Sequence, residues 1–180
     1  MIVIGLAGQR LCGKNLFAYY LRRKYGFSIL DFTTNILAPI LRKEGKTVTR
    51  ENLVNLAMSL RKKYGIDFLA KKICEKMGEG KYVIAGIRFP EEVIHIKKRF
   101  GKDFILIGIE CDVRIRYERA RRKGTKDDRE MTYLDFLEKE KLPTEKIIPE
   151  TMKLAKLTLT NEKTKEDLYA KIDKVVGEII

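Results

Sequence analysis

Residues 2–15 read Ile2-Val3-Ile4-Gly5-Leu6-Ala7-Gly8-Gln9-Arg10-Leu11-Cys12-Gly13-Lys14-Asn15. An apolar run of strand character is followed at once by G-x-x-x-x-G-K, and a helical pattern begins at the Lys. That is the order of a phosphate-binding loop between a buried strand and a helix. Two glycines let the backbone curl until successive N–H groups form a concave anion nest, and the following helix, about Gly13 to Lys24, adds its positive end. Gly8, Gln9, Arg10, Leu11, Cys12, Gly13, Lys14, Asn15 and Leu16 are therefore read as ATP-binding. Lys14 is expected to reach the β- and γ-phosphates and to act in catalysis. One position departs from the pattern. Asn15 stands where Ser or Thr carries a hydroxyl for Mg²⁺, and a neutral amide is a poorer and bulkier metal partner.

The rest of the chain extends that reading. Ile2–Ala7, Phe27–Asp31, Tyr82–Ile87, Phe104–Ile109 and Leu157–Thr160 are expected as buried strands. Helical patterns fall at Lys14–Tyr25, Thr34–Glu44, Arg50–Tyr64, Asp67–Met77, Pro90–Phe100, Val113–Lys123, Thr132–Lys141, Glu145–Lys153 and Lys165–Ile179. Strands alternating with helices predict a parallel sheet covered on both faces, with ligands at the carboxyl ends of the strands. The expected fold is thus α/β: a P-loop NTPase three-layer α/β/α sandwich on a five-stranded parallel sheet, with a small helical lid. No repeat, linker or low-complexity segment interrupts it. Residues 1–180 are taken as one domain, in keeping with the usual size range.

Composition narrows the classes. No apolar run approaches the 18 or so residues of a membrane span, and no secretory leader is visible, so a cytoplasmic protein is the default. Cys12, Cys74 and Cys111 are too scattered for a disulfide or zinc framework and read as free thiols. Charged residues make up 35% of the chain, with no Trp and a single Gln, a balance resembling that of proteins from hot environments. The net charge of +13 implies anionic partners. It leaves a nucleic-acid footprint open, although neither a helix-turn-helix nor an RNA-recognition aromatic motif accompanies it. His95 sits in a helical pattern and reads as structural.

A phosphate-binding loop serves kinases, GTPases and motors alike. The chain has no N-K-x-D guanine-reading motif and is short for a motor. Its basic residues gather at strand ends and in one helix–loop, as holding two phosphorylated ligands head to head requires. Through GLAGQRLCGKN (5–15), ILDF (29–32), SLRKKYGIDFLAKKI (59–73), VIAGIRFPEEV (83–93), RIRYERARRKGTKDD (114–128) and LTLTNEKTKEDL (157–168), the whole length resembles small P-loop kinases of the nucleoside-monophosphate kinase superfamily. The similarity is to dephospho-CoA kinase-like and deoxynucleoside-monophosphate kinase-like proteins, including an archaeal group of uncertain substrate.

The resemblance implies ATP and Mg²⁺ as cofactors and a small anionic acceptor as partner, either a nucleoside or deoxynucleoside monophosphate or dephospho-CoA. Helices in 33–78 would bind the acceptor and 114–142 would form the lid. Asp31, at the end of the second strand, would orient the acceptor or help hold Mg²⁺, with helix N-capping as its structural alternative. Arg88 would contact acceptor or transferred phosphate, a task that suits a planar donor fork. Arg42 and Arg61 are further acceptor candidates. Arg116, Arg119, Arg121, Arg122 and Lys123 would close over ATP about a hinge at Gly124, with Arg119 and Arg122 catalytic and Arg116 and Arg119 ATP-binding; a basic solvated face is the alternative. Asn161 matches a loop that touches adenine. The resemblance also exposes a second departure: the third strand of such kinases often carries a metal-holding carboxylate where this chain has Ala85. Asn15 and Asp31 are then left as weak metal positions. The alternative to a kinase is an ATP- or ADP-binding sensor with little catalysis.

Overall fold

A computed structural model describes residues 1–123 and 129–179. Five strands form one parallel sheet in the order β2-β3-β1-β4-β5. They are β1 (Ile2–Ala7), β2 (Ser28–Asp31), β3 (Lys81–Ile87), β4 (Phe104–Glu110) and β5 (Leu157–Thr160). The helices are α1 (Lys14–Tyr25), α2 (Ala38–Lys43), α3 (Arg50–Tyr64), α4 (Phe68–Cys74), α5 (Pro90–Phe100), α6 (Val113–Lys123), α7 (Tyr133–Glu140), α8 (Pro143–Lys146), α9 (Ile148–Met152) and α10 (Lys165–Ile179).

Alternation along β1 sorts the core into two layers. Val3 and Ala7 face one way, into a cluster with Leu30, Ile84, Leu69 and Ile73 of the α3–α5 side. Ile4 and Leu6 face the other, packing with Phe17 and Leu21 of α1 and Ile172 and Val176 of α10. Both layers are almost fully buried, which gives the three-layer α/β/α sandwich expected from the strand pattern. A third, smaller cluster of Ala120, Met131 and Phe136 holds the α6–α7 arm together, and Leu11 of the loop after β1 packs onto it.

Proline explains the main departures from the expected helices. Thr34–Glu44 was expected as one helix. Pro39 cannot donate an N–H to the preceding turn, and the segment opens as a π-helical turn over Thr33–Leu37, with Ala38 N bonded to Thr33 O, before α2 begins. Glu145–Lys153 is likewise not continuous. Pro143 and Pro149 each sit in a first turn, and two short helices, α8 and α9, meet at Ile147. The Asp67–Met77 helix is regular only over Phe68–Cys74, and β2 starts at Ser28.

One irregularity in the sheet shapes the site. Between β1 and β3, Leu6 pairs with Ala85 but Ala7 pairs with Ile87, so Gly86 bulges out of register at φ 91°. A side chain is strained at that φ, and an added Cβ would lie 3.5 Å from Asp31 Oδ2.

Candidate functional site

The loop after β1 bends through three residues in the left-handed half of backbone space: Gly8 (φ 153°), Leu11 (φ 62°) and Gly13 (φ 113°). Leu11 is the single non-glycine with positive φ among the described residues. Three side chains hold the bend. Arg116 Nη1 donates to Arg10 O (3.4 Å), Arg119 Nη1 to Leu11 O (3.2 Å) and Asn161 Nδ2 to Cys12 O (2.8 Å). With three successive carbonyls drawn to one side, the bend turns N–H groups toward an anion on the other, apart from Cys12 N, which donates to Gln9 O (3.3 Å). Gly13 is required as well as convenient, because a Cβ there would collide with Asn161 Nδ2.

Lys14 lies across the mouth of this loop, its Nζ donating to Gly8 O (2.6 Å) and Gln9 O (2.8 Å). Burial pushes its pKa below the ordinary lysine value, and Arg88 adds to the push; the Cys12 sulfur and Glu145 oppose it. A bound phosphate would favour the charged form again.

Two cavities flank the loop. One of about 580 Å³ lies on the α6 and β5–α10 side, with Leu16, Arg119, Arg122 and Lys163–Lys165 among its walls. The other, about 290 Å³, lies toward β2, β3 and α3, between Asp31, Gly86, Arg88 and Glu145 and an apolar wall that includes Phe32, Leu53 and Leu69. Arg10, Lys14 and Asn15 line both. A ligand in each would meet at these three residues.

Asp31 performs the capping that was its structural alternative. Its Oδ1 caps the π-helical turn, accepting from Thr33 N (2.8 Å) and Thr34 N (3.0 Å), while Oδ2 is on the Gly86 side and accepts no hydrogen bond among the described residues. Ala85 pairs in register with Asp31 and is 3% exposed, so a carboxylate at 85 would have stood beside Asp31. No three His, Cys, Asp or Glu side chains gather to hold a metal ion among the described residues. Asp31 and the exposed amide of Asn15 line the same cavity, whose other carboxylate, Glu145, is tied to Arg88; Mg²⁺ held by Asp31 and Asn15 would need the oxygens of a bound phosphate and water to complete its shell.

The arginines fall into three groups. Arg88 lines the smaller cavity, and Arg122 is exposed on the larger one. Arg116, Arg119 and Arg61 are instead engaged by the protein. Arg116 is 2% exposed; it also donates to Cys111 O (3.0 Å) and lies 2.6 Å from Glu140, so it braces the loop rather than facing either cavity. Arg119 reaches the larger cavity but gives Nη2 to Asn161 O (2.9 Å). Arg61 lines the smaller cavity, yet its Nε and Nη2 go to buried Glu92. Arg42 is exposed and lines neither cavity. The side chain of Asn161, read as an adenine contact, is committed to Cys12 O and 4% exposed. Arg121 is exposed, and the Lys123 side chain and Gly124 lie outside the described residues.

Sequence reading missed Glu92, Glu140 and Glu145, the carboxylates that partner these arginines. Glu92 carried a local signal, since Phe89-Pro90-Glu91-Glu92 after a strand places Glu92 at the third helical position, where it accepts from Phe89 N (3.2 Å) and Arg88 N (2.9 Å). Glu145 had none.

A scan against models of known protein families finds no match. Among solved structures, the fold is that of small P-loop kinases. Shikimate kinase from Bacteroides thetaiotaomicron superposes with a TM-score of 0.58 at 12% identity, each chain 98% covered. A gluconokinase from Sinorhizobium meliloti gives 0.55 at 11% identity, with 99% of this chain and 95% of that one covered. By sequence, the chain belongs to the UPF0200 family. It is 30% identical to the UPF0200 proteins of Methanocaldococcus jannaschii, covering all of this chain and 91% of the relative, and of Pyrococcus horikoshii, covering 99% and 98%. It is 32% identical to a UPF0200/UPF0201 protein of Archaeoglobus fulgidus, of whose length it spans 55%.

Proposed function

We propose that this protein transfers the γ-phosphoryl group of ATP to a small phosphorylated or nucleotide-like acceptor, with Mg²⁺ as cofactor. The observation that carries the reading is the meeting of the two cavities at Arg10, Lys14 and Asn15. The larger cavity takes the nucleotide, with its phosphates in the loop nest and Arg122 and Arg119 beside them. The smaller takes the acceptor, its anionic group toward Arg88 and its body against the apolar wall. Lys14 neutralises charge on the transferring group, and Asp31 orients the attacking oxygen. Asp31 and Asn15 would hold Mg²⁺, which when bound would offset charge on the nucleotide's phosphates. The helices at 33–78 act as the acceptor-binding part and the described α6–α7 arm as the lid.

A coupled ADP-release screen across nucleoside monophosphates, deoxynucleoside monophosphates and dephospho-CoA, with Mg²⁺ varied, tests the proposal. Turnover with one acceptor class is the expected result. Measurable ATP binding with no turnover on any acceptor would sink the kinase reading and favour a nucleotide sensor, the reading toward which Asn15 and Ala85 point.

A further inference from the structure

Of the arginines that line the acceptor-side cavity, Arg61 and Arg88 are each tied to a buried carboxylate, but by opposite edges. Arg61 gives Nε (3.2 Å) and Nη2 (2.7 Å) to Oε1 of Glu92, and the two side chains are 2% and 0% exposed. Nε and Nη2 form the side of a guanidinium that grips a carboxylate or phosphate with two parallel hydrogen bonds. In Arg61 that side is already occupied.

Arg88 is held from the far side. Its Nη1 donates to Glu145 Oε1 (2.5 Å) and to Thr144 O (3.3 Å). Its Nε and Nη2 make no hydrogen bond among the described residues, and the side chain remains 33% exposed on the cavity. The backbone is fixed as well: Arg88 N donates to Glu92 Oε2 (2.9 Å), and Thr151 Oγ1 donates to Arg88 O (2.6 Å). Glu145 is 2% exposed, and its second oxygen, Oε2, is buried with no hydrogen-bond partner. Burying a carboxylate with half its acceptor capacity unused is costly for stability alone, and such groups call for another explanation.

We infer that Glu145 is a positioning residue: by anchoring Nη1 of Arg88, it holds the Nε–Nη2 edge toward the cavity as a preformed, two-pronged seat for a tetrahedral oxyanion of the phosphate class. This rests on the proposed reading only in taking that oxyanion to be the acceptor's own or the transferring phosphoryl group. The energetic logic is preorganisation. A free arginine must be ordered when its ligand arrives, whereas Arg88 is ordered by the fold. The same clamp discriminates by shape, because a planar two-nitrogen edge suits phosphate better than a single-point contact does.

The test is calorimetric titration of inorganic phosphate, and of AMP as a phosphate carried on a nucleoside. The intact protein is used, with its loop filled by Mg²⁺ and a non-hydrolysable ATP analogue. Affinity for the analogue serves as the folding control for every variant. Both probes are expected to bind the wild type. Arg88→Ala should weaken them more than tenfold, and Glu145→Ala and Glu145→Gln by roughly tenfold and severalfold. The decisive reading is coupling: Arg88→Ala/Glu145→Gln should bind no more weakly than Arg88→Ala alone, a result general destabilisation would not give. If Glu145→Ala fails to fold, the nearly isosteric Glu145→Gln carries the comparison. Wild-type affinity in the Glu145 variants beside a weakened Arg88→Ala overturns the positioning role and leaves the Arg88 contact standing. Absence of binding to the wild type, or wild-type affinity in Arg88→Ala, overturns the seat itself. Coupled, Glu145-dependent binding without ADP release in the acceptor screen would keep this inference while refuting phosphotransfer.

Discussion

The α6 arginines and Arg88 look alike in sequence and are employed in contrasting ways. Arg116 and Arg119 lie three apart on one helix face, but their donors go to the carbonyls of Arg10, Leu11, Cys111 and Asn161. They shape the loop that would hold phosphate. Arg88 has its single anchoring nitrogen taken and its gripping edge left open. The lesson is that a cluster of positive residues is not a count of available charge. What decides a guanidinium's role is which of its two edges the nearby carbonyls and carboxylates have claimed.

Variants can break that contrast. The largest effect is expected from Lys14→Ala, which removes the ammonium common to both cavities and should lower turnover by 10² to 10³-fold or more. ADP-release kinetics with ATP varied would measure it. Arg88→Ala should lower kcat/KM for the acceptor by about 10²-fold while leaving ATP affinity near wild type, because Arg88 lines the smaller cavity and not the larger. Equal losses toward both ligands would refute that division. Arg116→Ala should show itself chiefly in stability. It strands Glu140, whose side chain is 12% exposed, and a loss of about 3 kcal/mol by denaturant unfolding is expected. Arg122→Ala, exposed on the larger cavity, should raise KM for ATP severalfold with stability changed by less than about 0.5 kcal/mol. Arg42→Ala should change neither.

A pH series sharpens the comparison further. Bound phosphate raises the pKa of Lys14 above its value in the free protein, which burial has lowered. Nucleotide affinity is therefore full below that free-protein value and falls as pH rises through it. The decline should set in below the ordinary lysine value of 10.5, and Lys14→Arg should abolish it. Dissociation constants for ATP measured from neutral to alkaline pH would show this.

The legible part of the molecule was its local part. Strand β1, the loop and α1 follow from adjacent residues, since Gly8, Gly13 and Lys14 act within one turn of chain. Asp31 and Arg88 stand at strand ends, and the structure puts both on the wall of one cavity, a placement that strand order alone makes legible. What stayed hidden depends on residues far apart in the chain. Helical spacing put Arg116 and Arg119 on one face but could not say that this face meets the loop's carbonyls. Arg61 and Glu92, or Arg88 and Glu145, pair only once the sheet has assembled. Pro39 and Pro149 mark the broken helices locally, where the missing N–H outweighs the helical periodicity around them.

Leu11 carries a consequence for how the two halves of the site communicate. A left-handed backbone at a leucine is unfavourable by about 1–2 kcal/mol, and it is sustained here by Arg119 at its carbonyl and by packing of its side chain on the α6–α7 cluster. The shape of the loop and the seating of the α6–α7 arm are therefore tied together at this residue. By thermodynamic reciprocity, whatever free energy the arm's docking lends to phosphate affinity, a bound phosphate returns to the arm in full.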